Sequence, residues 1–382
     1  VSVGLAYGGD ALWYFQMVTQ FIYSIPYVYV WFDYPPLAAY FFTLIYALTS
    51  SNLQWFAMTL RFFQLPLELA TTLIIYRIIK QFCGGEGHAF LAALAYNLSP
   101  VVLFSWTSRF DCIPTFLVML SVYMLFKERF ITSFFLLAVG TLFKWFPAVL
   151  VPLWLAYSLG RVRWKGFFTF TGFCIAVAAP FLLLAPQKFI ESAYLYHALR
   201  EPNYLSLSAA IQFFLCRRLS EMPSIVSFAS LTLQLIFCLA PIIIFPRSKD
   251  GLCAGCAFTL LGVVAFAGFF SPQWITWMSP LLLVNVRQRR SGWIIYWVLQ
   301  SVTYLQYPVL NEYHHVHLTW PRHWWRSYVY YSLTAIRSLA LFLGMALIGF
   351  SFRTSIITSL KRGKRSRLYE QLIGKLHILS KS

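Results

Sequence analysis

The chain has 382 residues, of which 59% are hydrophobic and 11% charged, with a formal net charge of +18. A soluble domain carries about 25% charged residues, so this composition excludes an ordinary cytosolic enzyme and a disordered segment. Aromatic residues reach 19%, which suits a chain in lipid with many rings near the two interfaces.

In chain order, segment 11–24 is apolar, rich in rings and short for a span, and segment 36–49 is similar. Both fit helices lying in the interface plane or short helices packed on a bundle. Between them runs Phe32-Asp33-Tyr34-Pro35-Pro36, whose double proline fixes an extended turn and starts the second helix. A bilayer core takes about 20 apolar residues in a helix. Windows of that kind run at 57–82, 88–107, 111–127, 166–185, 224–246, 252–270, 292–309 and 329–352. Segments 130–144 and 145–159 are shorter and meet at Lys144, as two short crossings or as a broken pair dipping from opposite ends. Segment 273–286 is also short and is bounded by Pro272 and Arg287.

These segments alternate so that Arg77/Lys80, Lys127/Arg129, Arg161/Arg163/Lys165, Arg247/Lys249, Arg287/Arg289/Arg290 and the tail from Arg353 share one side. The basic side faces the cytoplasm. The prediction is an all-α polytopic membrane protein of about eleven spans. Residues 1–56 form a first external loop with interfacial helices. Residues 57–352 form the bundle, with external loops 186–223 and 310–328, and residues 353–382 form a basic cytoplasmic tail. A start outside without an initiator Met predicts a further helix ahead of residue 1. The run Lys361-Arg362-Gly363-Lys364-Arg365-Ser366-Arg367 reads as an orientation signal that also attracts anionic lipid. Membrane lipids, not nucleic acid, are its expected partners, and His377 in this tail reads as a surface residue.

Twelve acidic residues make each one informative, because a carboxylate at lipid depth serves a function or is paired. Asp10, behind Gly8-Gly9, suits an N-cap and a catalytic base equally. Arg109 and Asp111 fit a local ion pair with Asp111 capping the next helix. Lys144 fits either snorkelling to the interface or a phosphate ligand reached from two half-helices. His197 and Arg200 lie three apart, on one helical face, in an external loop. Ser271-Pro272-Gln273-Trp274 marks the external end of a span, with Pro272 as a helix starter. Glu68 is expected to pair with Arg61 or to face the bundle. His314, His315, His317 and His323 share a loop with Trp320, Trp324 and Trp325, which reads as an interface belt more than as a metal site. Cys253 and Cys256 have CxxC spacing but open an apolar run with no second pair, so they read as small core residues.

Carboxylates beside cations and apolar walls at an outer membrane edge suit transfer from a lipid-phosphate donor. A carboxylate deprotonates an acceptor hydroxyl, and fixed cations hold the leaving phosphate. No nucleotide-binding glycine motif is present, so no nucleotide is expected. The ordered set Asp10, Pro26-Tyr27, Asp33-Tyr34-Pro35-Pro36-Leu37, Asn97-Leu98-Ser99-Pro100, Ser108-Arg109-Phe110-Asp111, Phe143-Lys144-Trp145-Phe146-Pro147, Tyr196-His197-Ala198-Leu199-Arg200 and Ser271-Pro272-Gln273-Trp274 resembles the GT-C superfamily of polytopic glycosyltransferases. Among these it is similar to the glycosylphosphatidylinositol mannosyltransferase I catalytic subunit and the polyprenol-phosphate-mannose-dependent mannosyltransferases. The resemblance covers about residues 5 to 285 and implies a GT-C-like bundle. It further implies inverting transfer of a sugar, mannose in most relatives, from a dolichyl- or polyprenyl-phosphate donor to a glycan or glycolipid acceptor on the lumenal or extracytoplasmic face. By the same resemblance Asp10 is the catalytic acid of the first loop. Lys144, His197 and Arg200 fall near the donor phosphate, with Asp33, Arg109, Asp111 and Gln273 in support. The eukaryotic relative has Asp-x-Asp where this chain has Asp10 alone, so a divalent metal is not favoured and no cofactor is expected. A transporter or flippase of lipid-linked sugar is the alternative. Transporters pair broken helices in repeated halves, and the break at Lys144 has no second copy in the sequence. A non-catalytic scaffold would have no use for Asp10.

Overall fold

The structure, a computed structural model, describes residues 9–83, 85–200, 203, 205–215, 223–245, 247–286, 290–313 and 324–361. Among these residues the fold is all helix, with one isolated bridge between Pro26 and Val30. Helical backbone occupies each of the eleven predicted segments. Three helical stretches are long and apolar enough to cross a membrane alone: Leu53–Phe82, Gly160–Leu184 and Tyr328–Phe350. Glu86–Asn97 and Pro100–Thr107 pass that test together, bent by 49°. Large apolar side chains stand out from the bundle, with Leu183 84% and Ile243 89% exposed. Such a surface is stable against hydrocarbon and not against water, so the protein is of the all-α membrane type.

Prolines set the breaks. Pro100 has no N–H to donate and pushes Ser99 into extended backbone (φ −70°, ψ 119°). That converts the continuous window predicted at 88–107 into two helices. Pro308 does the same to the window at 292–309: Tyr307 is extended (φ −148°, ψ 119°), behind the helix Arg290–Tyr304. Lys144 is also extended (φ −149°, ψ 143°), between Phe130–Phe143 and the short 3-10 turn Phe146–Leu150 that leads into Val151–Tyr157.

The helices of the first loop, Gly9–Phe21 and Pro36–Leu48, pack on the bundle. Pro35 is extended and Pro36 opens the second of them, as the double proline predicts. Gly9–Phe21 lies against Pro36–Leu48 and Leu53–Ile78, and Pro36–Leu48 lies against Phe130–Phe143. Rings join them: Tyr14 stacks on Phe42 at 4.5 Å, and Phe110 meets Phe42 edge-on at 5.1 Å. Phe32, Phe42, Phe56 and Phe110 are fully buried in this aromatic core. A larger core runs between Cys112–Phe126, Lys249–Ala265, Trp274–Val286 and Arg290–Tyr304. Cys253 and Cys256 are free thiols inside that core, so their spacing serves packing.

The helix Cys112–Phe126 fixes the polarity of the bundle. Asp111 stands at its start and Lys127 at its end, about 24 Å apart at 1.5 Å per residue. At the Lys127 end, the ammonium groups of Lys127 and Lys249 sit over the ring of Phe82 at 6.0 and 4.2 Å. The acidic groups discussed next gather at the other end.

Candidate functional site

Asp10 lies within the first turn of Gly9–Phe21. Its side chain is held from two sides. Nη1 of Arg109 is 2.6 Å from its Oδ1, and the Tyr14 hydroxyl, one turn on, donates to Oδ2 at 3.2 Å. Arg109 is itself buried at the C-cap of Pro100–Ser108. Its Nη2 donates to the Tyr307 hydroxyl at 2.9 Å, and its guanidinium faces the rings of Phe104 and Tyr307. The expected local pair between Arg109 and Asp111 is therefore corrected. Backbone at Arg109 is extended (φ −132°, ψ 176°) while Asp111 is already helical (φ −63°, ψ −20°), so the chain turns between them.

Asp111 makes no capping hydrogen bond. Fully buried, it binds Lys144, whose Nζ donates to both carboxylate oxygens at 2.7 Å, and it accepts the Trp277 indole N–H at 2.6 Å. Lys144 is only 4% exposed, so it does not snorkel. Its ammonium also faces the rings of Phe110 and Tyr34 at 4.6 and 5.4 Å. A buried pair of this kind is tolerated only when both charges are well satisfied, as they are here. Glu68 and Arg61 are not partners either. Two turns apart on one helix, they diverge: Glu68 accepts the Tyr96 hydroxyl at 2.7 Å, and Arg61 donates to the Thr107 carbonyl at 2.9 Å.

Above this pair lies a cavity of about 550 Å³. Asp10, Asp33, Arg109, Arg200 and Gln273 line it, walled by Trp13, Trp31, Tyr34, Tyr196 and Tyr307. Five of the eight sequence-predicted site residues thus share one space, although they come from four distant stretches of chain. Asp111, Lys144 and His197 do not line it. Asp111 and Lys144 lie behind Tyr34, and the His197 ring is hydrogen-bonded to the backbone carbonyl of Asp33.

The loop groups have shifted acidities. Burial pushes the Asp33 carboxyl up to about 6, with Asp10 adding to the rise and Arg200 and Lys144 opposing it. Burial likewise holds the His197 imidazole down to about 4, aided by Lys144 and Arg200 and opposed by its bond to the Asp33 carbonyl. At neutral pH the His197 imidazole is uncharged, and its bond to the Asp33 carbonyl fixes that loop. Arg200 lies flat on the Phe269 ring at 3.5 Å, with Tyr196 at 5.1 Å on another side. Asn203 grips the backbone of Phe270 twice, at 2.7 and 3.0 Å, and so ties the Arg200 loop to the segment carrying Gln273.

Sequence reasoning missed Trp277, Tyr307 and Tyr14. Only Tyr307 carried a signal, the proline that follows it. The histidines 314, 315, 317 and 323, with the basic tail from Arg362 including His377, lie outside the described residues. Among the described residues, no three His, Cys, Asp or Glu side chains group as a metal-ligand set.

Residues 33–187 match the family described as dolichyl-phosphate-mannose-protein mannosyltransferase. The resemblance to GT-C glycosyltransferases is borne out. The matched stretch carries Asp33, Arg109, Asp111 and Lys144, while Asp10, His197, Arg200 and Gln273 fall outside it. No curated protein matches the chain. The family supports a membrane glycosyltransferase of the mannosyltransferase kind.

Proposed function

We propose that this protein transfers a hexose, mannose by the matched family, from a dolichyl- or polyprenyl-phosphate donor to a hydroxyl of a glycan or glycolipid acceptor. The observation that carries this reading is the shared cavity: two carboxylates and two guanidinium groups face one aromatic-walled space at one end of an apolar helix bundle. The donor phosphate sits between Arg109 and Arg200, and its lipid chain runs out along the apolar helices. The acceptor O–H is deprotonated by Asp10 as its oxygen bonds to the anomeric carbon. The bond from that carbon to the phosphate oxygen breaks, and its electron pair leaves on the lipid phosphate, where the guanidinium groups stabilise the charge. Attack opposite the leaving group inverts the anomeric centre. Arg109 fixes the rotamer of Asp10, so one cation serves both base and phosphate.

The cavity lies at the end of the bundle opposite Lys127 and Lys249. With basic ends facing the cytoplasm, the reaction belongs on the extracytoplasmic or lumenal side. Arg109 and Arg200 supply the positive charge without a metal, so added EDTA should leave the rate within about twofold. The test is to incubate membranes containing the full chain with radiolabelled polyprenyl-phosphate mannose and identify the labelled product. Label in a new glycoside bond, dependent on the chain, supports the reading. Donor that flips between leaflets with no new bond contradicts it.

A further inference from the structure

Two acceptor atoms on residues that line the cavity lack donors. Asp33 Oδ1 and Gln273 Oε1 are buried without a hydrogen-bond partner, and both residues line the cavity. A buried polar atom left unpaired is destabilising, more so when charged, and on a residue that lines a cavity a ligand can supply the missing donor. No neighbouring donor reaches either atom, and Arg200 lies on the Phe269 ring instead. Arg109 serves Asp10 and Tyr307, Lys144 serves Asp111, and the Tyr14 hydroxyl serves Asp10. A polyol, with several O–H donors on one rigid frame, supplies what both atoms lack. The walls suit the same ligand. Trp13, Trp31, Tyr34 and Tyr196 present flat faces and edges for the C–H surface of a sugar ring. The guanidinium groups of Arg109 and Arg200 border the same space, so a phosphate held there puts the hexose bonded to it beside Asp33 and Gln273.

We propose that Asp33 and Gln273 are specificity-determining residues that accept hydrogen bonds from hydroxyl groups of the donor hexose. This rests on the transferase reading above and adds the residues that read the sugar. His197 and the two prolines serve the same end. The imidazole fixes the Asp33 carbonyl, and Pro35-Pro36 fix the exit of the loop, so the carboxylate is presented from a rigid backbone. The groups acting on the Asp33 carboxylate are its own backbone N–H, Arg200, Lys144 and Asp10, with the uncharged His197 at its carbonyl. As pH falls through about 6 the carboxyl gains a proton, and a charge-assisted bond becomes a weaker neutral one.

The test compares polyprenyl-phosphate mannose with its 2-, 3-, 4- and 6-deoxy analogues, using membranes that contain the full chain as wild type, Asp33→Asn or Gln273→Ala. Wild type should lose about 10–100-fold in kcat/KM on the analogue lacking the hydroxyl that Asp33 binds, the range for a hydrogen bond to a charged group. Asp33→Asn should lose a similar factor on the parent donor and discriminate less than about threefold against that same analogue. Gln273→Ala should lose discrimination at a different hydroxyl. A second readout needs no variant: wild-type discrimination against the Asp33-linked analogue should shrink as pH is lowered from 7.5 to 5.5. Equal losses by Asp33→Asn on all five donors, or wild-type discrimination that does not change with pH, would overturn the proposal. If wild type makes no glycoside from the parent donor, the transferase reading itself fails, and that outcome is distinct from either.

Discussion

The guanidinium of Arg109 reaches the carboxylate of Asp10 at 2.6 Å and leaves Asp111, two residues along the chain, to Lys144. Two acid–base pairs of different character result. The Asp10 pair lines the cavity, and the Asp111 pair is sealed beneath it. The first suits chemistry and the second suits architecture.

For the first pair, Arg109→Ala should lower transfer about 10²–10³-fold, the scale seen when one preorganised charge-stabilising donor is removed. Arg109→Lys should recover only part of this, because an ammonium cannot hold Asp10 and Tyr307 together as the planar guanidinium does. Initial rates in membranes with saturating polyprenyl-phosphate mannose check this. Equal rates for Arg109→Lys and wild type would show that holding Asp10 and Tyr307 with one guanidinium is immaterial.

For the second pair, Lys144→Met should destabilise the protein by about 3–5 kcal/mol, because it strands a buried carboxylate. The double variant Lys144→Met with Asp111→Asn removes both charges and should be more stable than Lys144→Met alone. Thermal unfolding of the detergent-solubilised chain reads this directly. If Lys144→Met keeps full stability and loses only donor affinity, Lys144 is a phosphate ligand and not a structural partner of Asp111.

His197 makes stability depend on pH. Its folded pKa is lowered to about 4 from an ordinary 6.5. Between those values the unfolded chain binds a proton that the folded chain refuses, so stability rises with pH across this window. The contribution is fully present above about 6.5 and is lost as pH falls towards 4. Asp33 acts in the opposite sense, since its folded carboxyl is raised to about 6 and the folded state holds the extra proton below that value. His197→Gln leaves Asp33 in place, so the difference between wild type and His197→Gln in Tm isolates the imidazole. That difference should shrink as pH falls from 6.5 to 4.5. A constant difference would mean that the ring is charged in the folded protein.

Arg200 should act on donor use alone. Stacked on Phe269 and open to the cavity, it should when changed to Ala raise the apparent donor KM about tenfold or more, with little change in Tm. An unchanged KM would remove it from the phosphate site.

Much of the fold was legible because it follows from local rules. Apolar runs gave the helices, and Pro35-Pro36 gave the extended turn and helix start that carry Asp33 and Tyr34 into the cavity. Placement at one end of alternating segments grouped Asp10 and Asp111 with Arg109, Lys144 and Arg200, and the resemblance added Asp33, His197 and Gln273. Of these, Asp10, Asp33, Arg109, Arg200 and Gln273 line one cavity, and Asp111, Lys144 and His197 do not. The partner choices were not legible. Arg109 has an acid two positions away and bonds one 99 residues away, because the turn at the junction and the approach of Gly9–Phe21 decide which carboxylate it meets. The indole of Trp277 on Asp111 and the phenol of Tyr307 on Arg109 depend on helix packing that no local pattern encodes. Lys144 looked like a free cation for the same reason, since its acid stands 33 residues before it on another helix.

The most direct measurement is the initial rate of mannose transfer by Asp10→Asn, in membranes with polyprenyl-phosphate mannose and in parallel with donor binding. A carboxamide keeps the size of Asp10 and removes the base. Transfer should fall about 10²–10⁴-fold, the usual contribution of a positioned general base, while donor still binds. Turnover close to wild type would contradict the assignment of Asp10 and leave the cavity without its base.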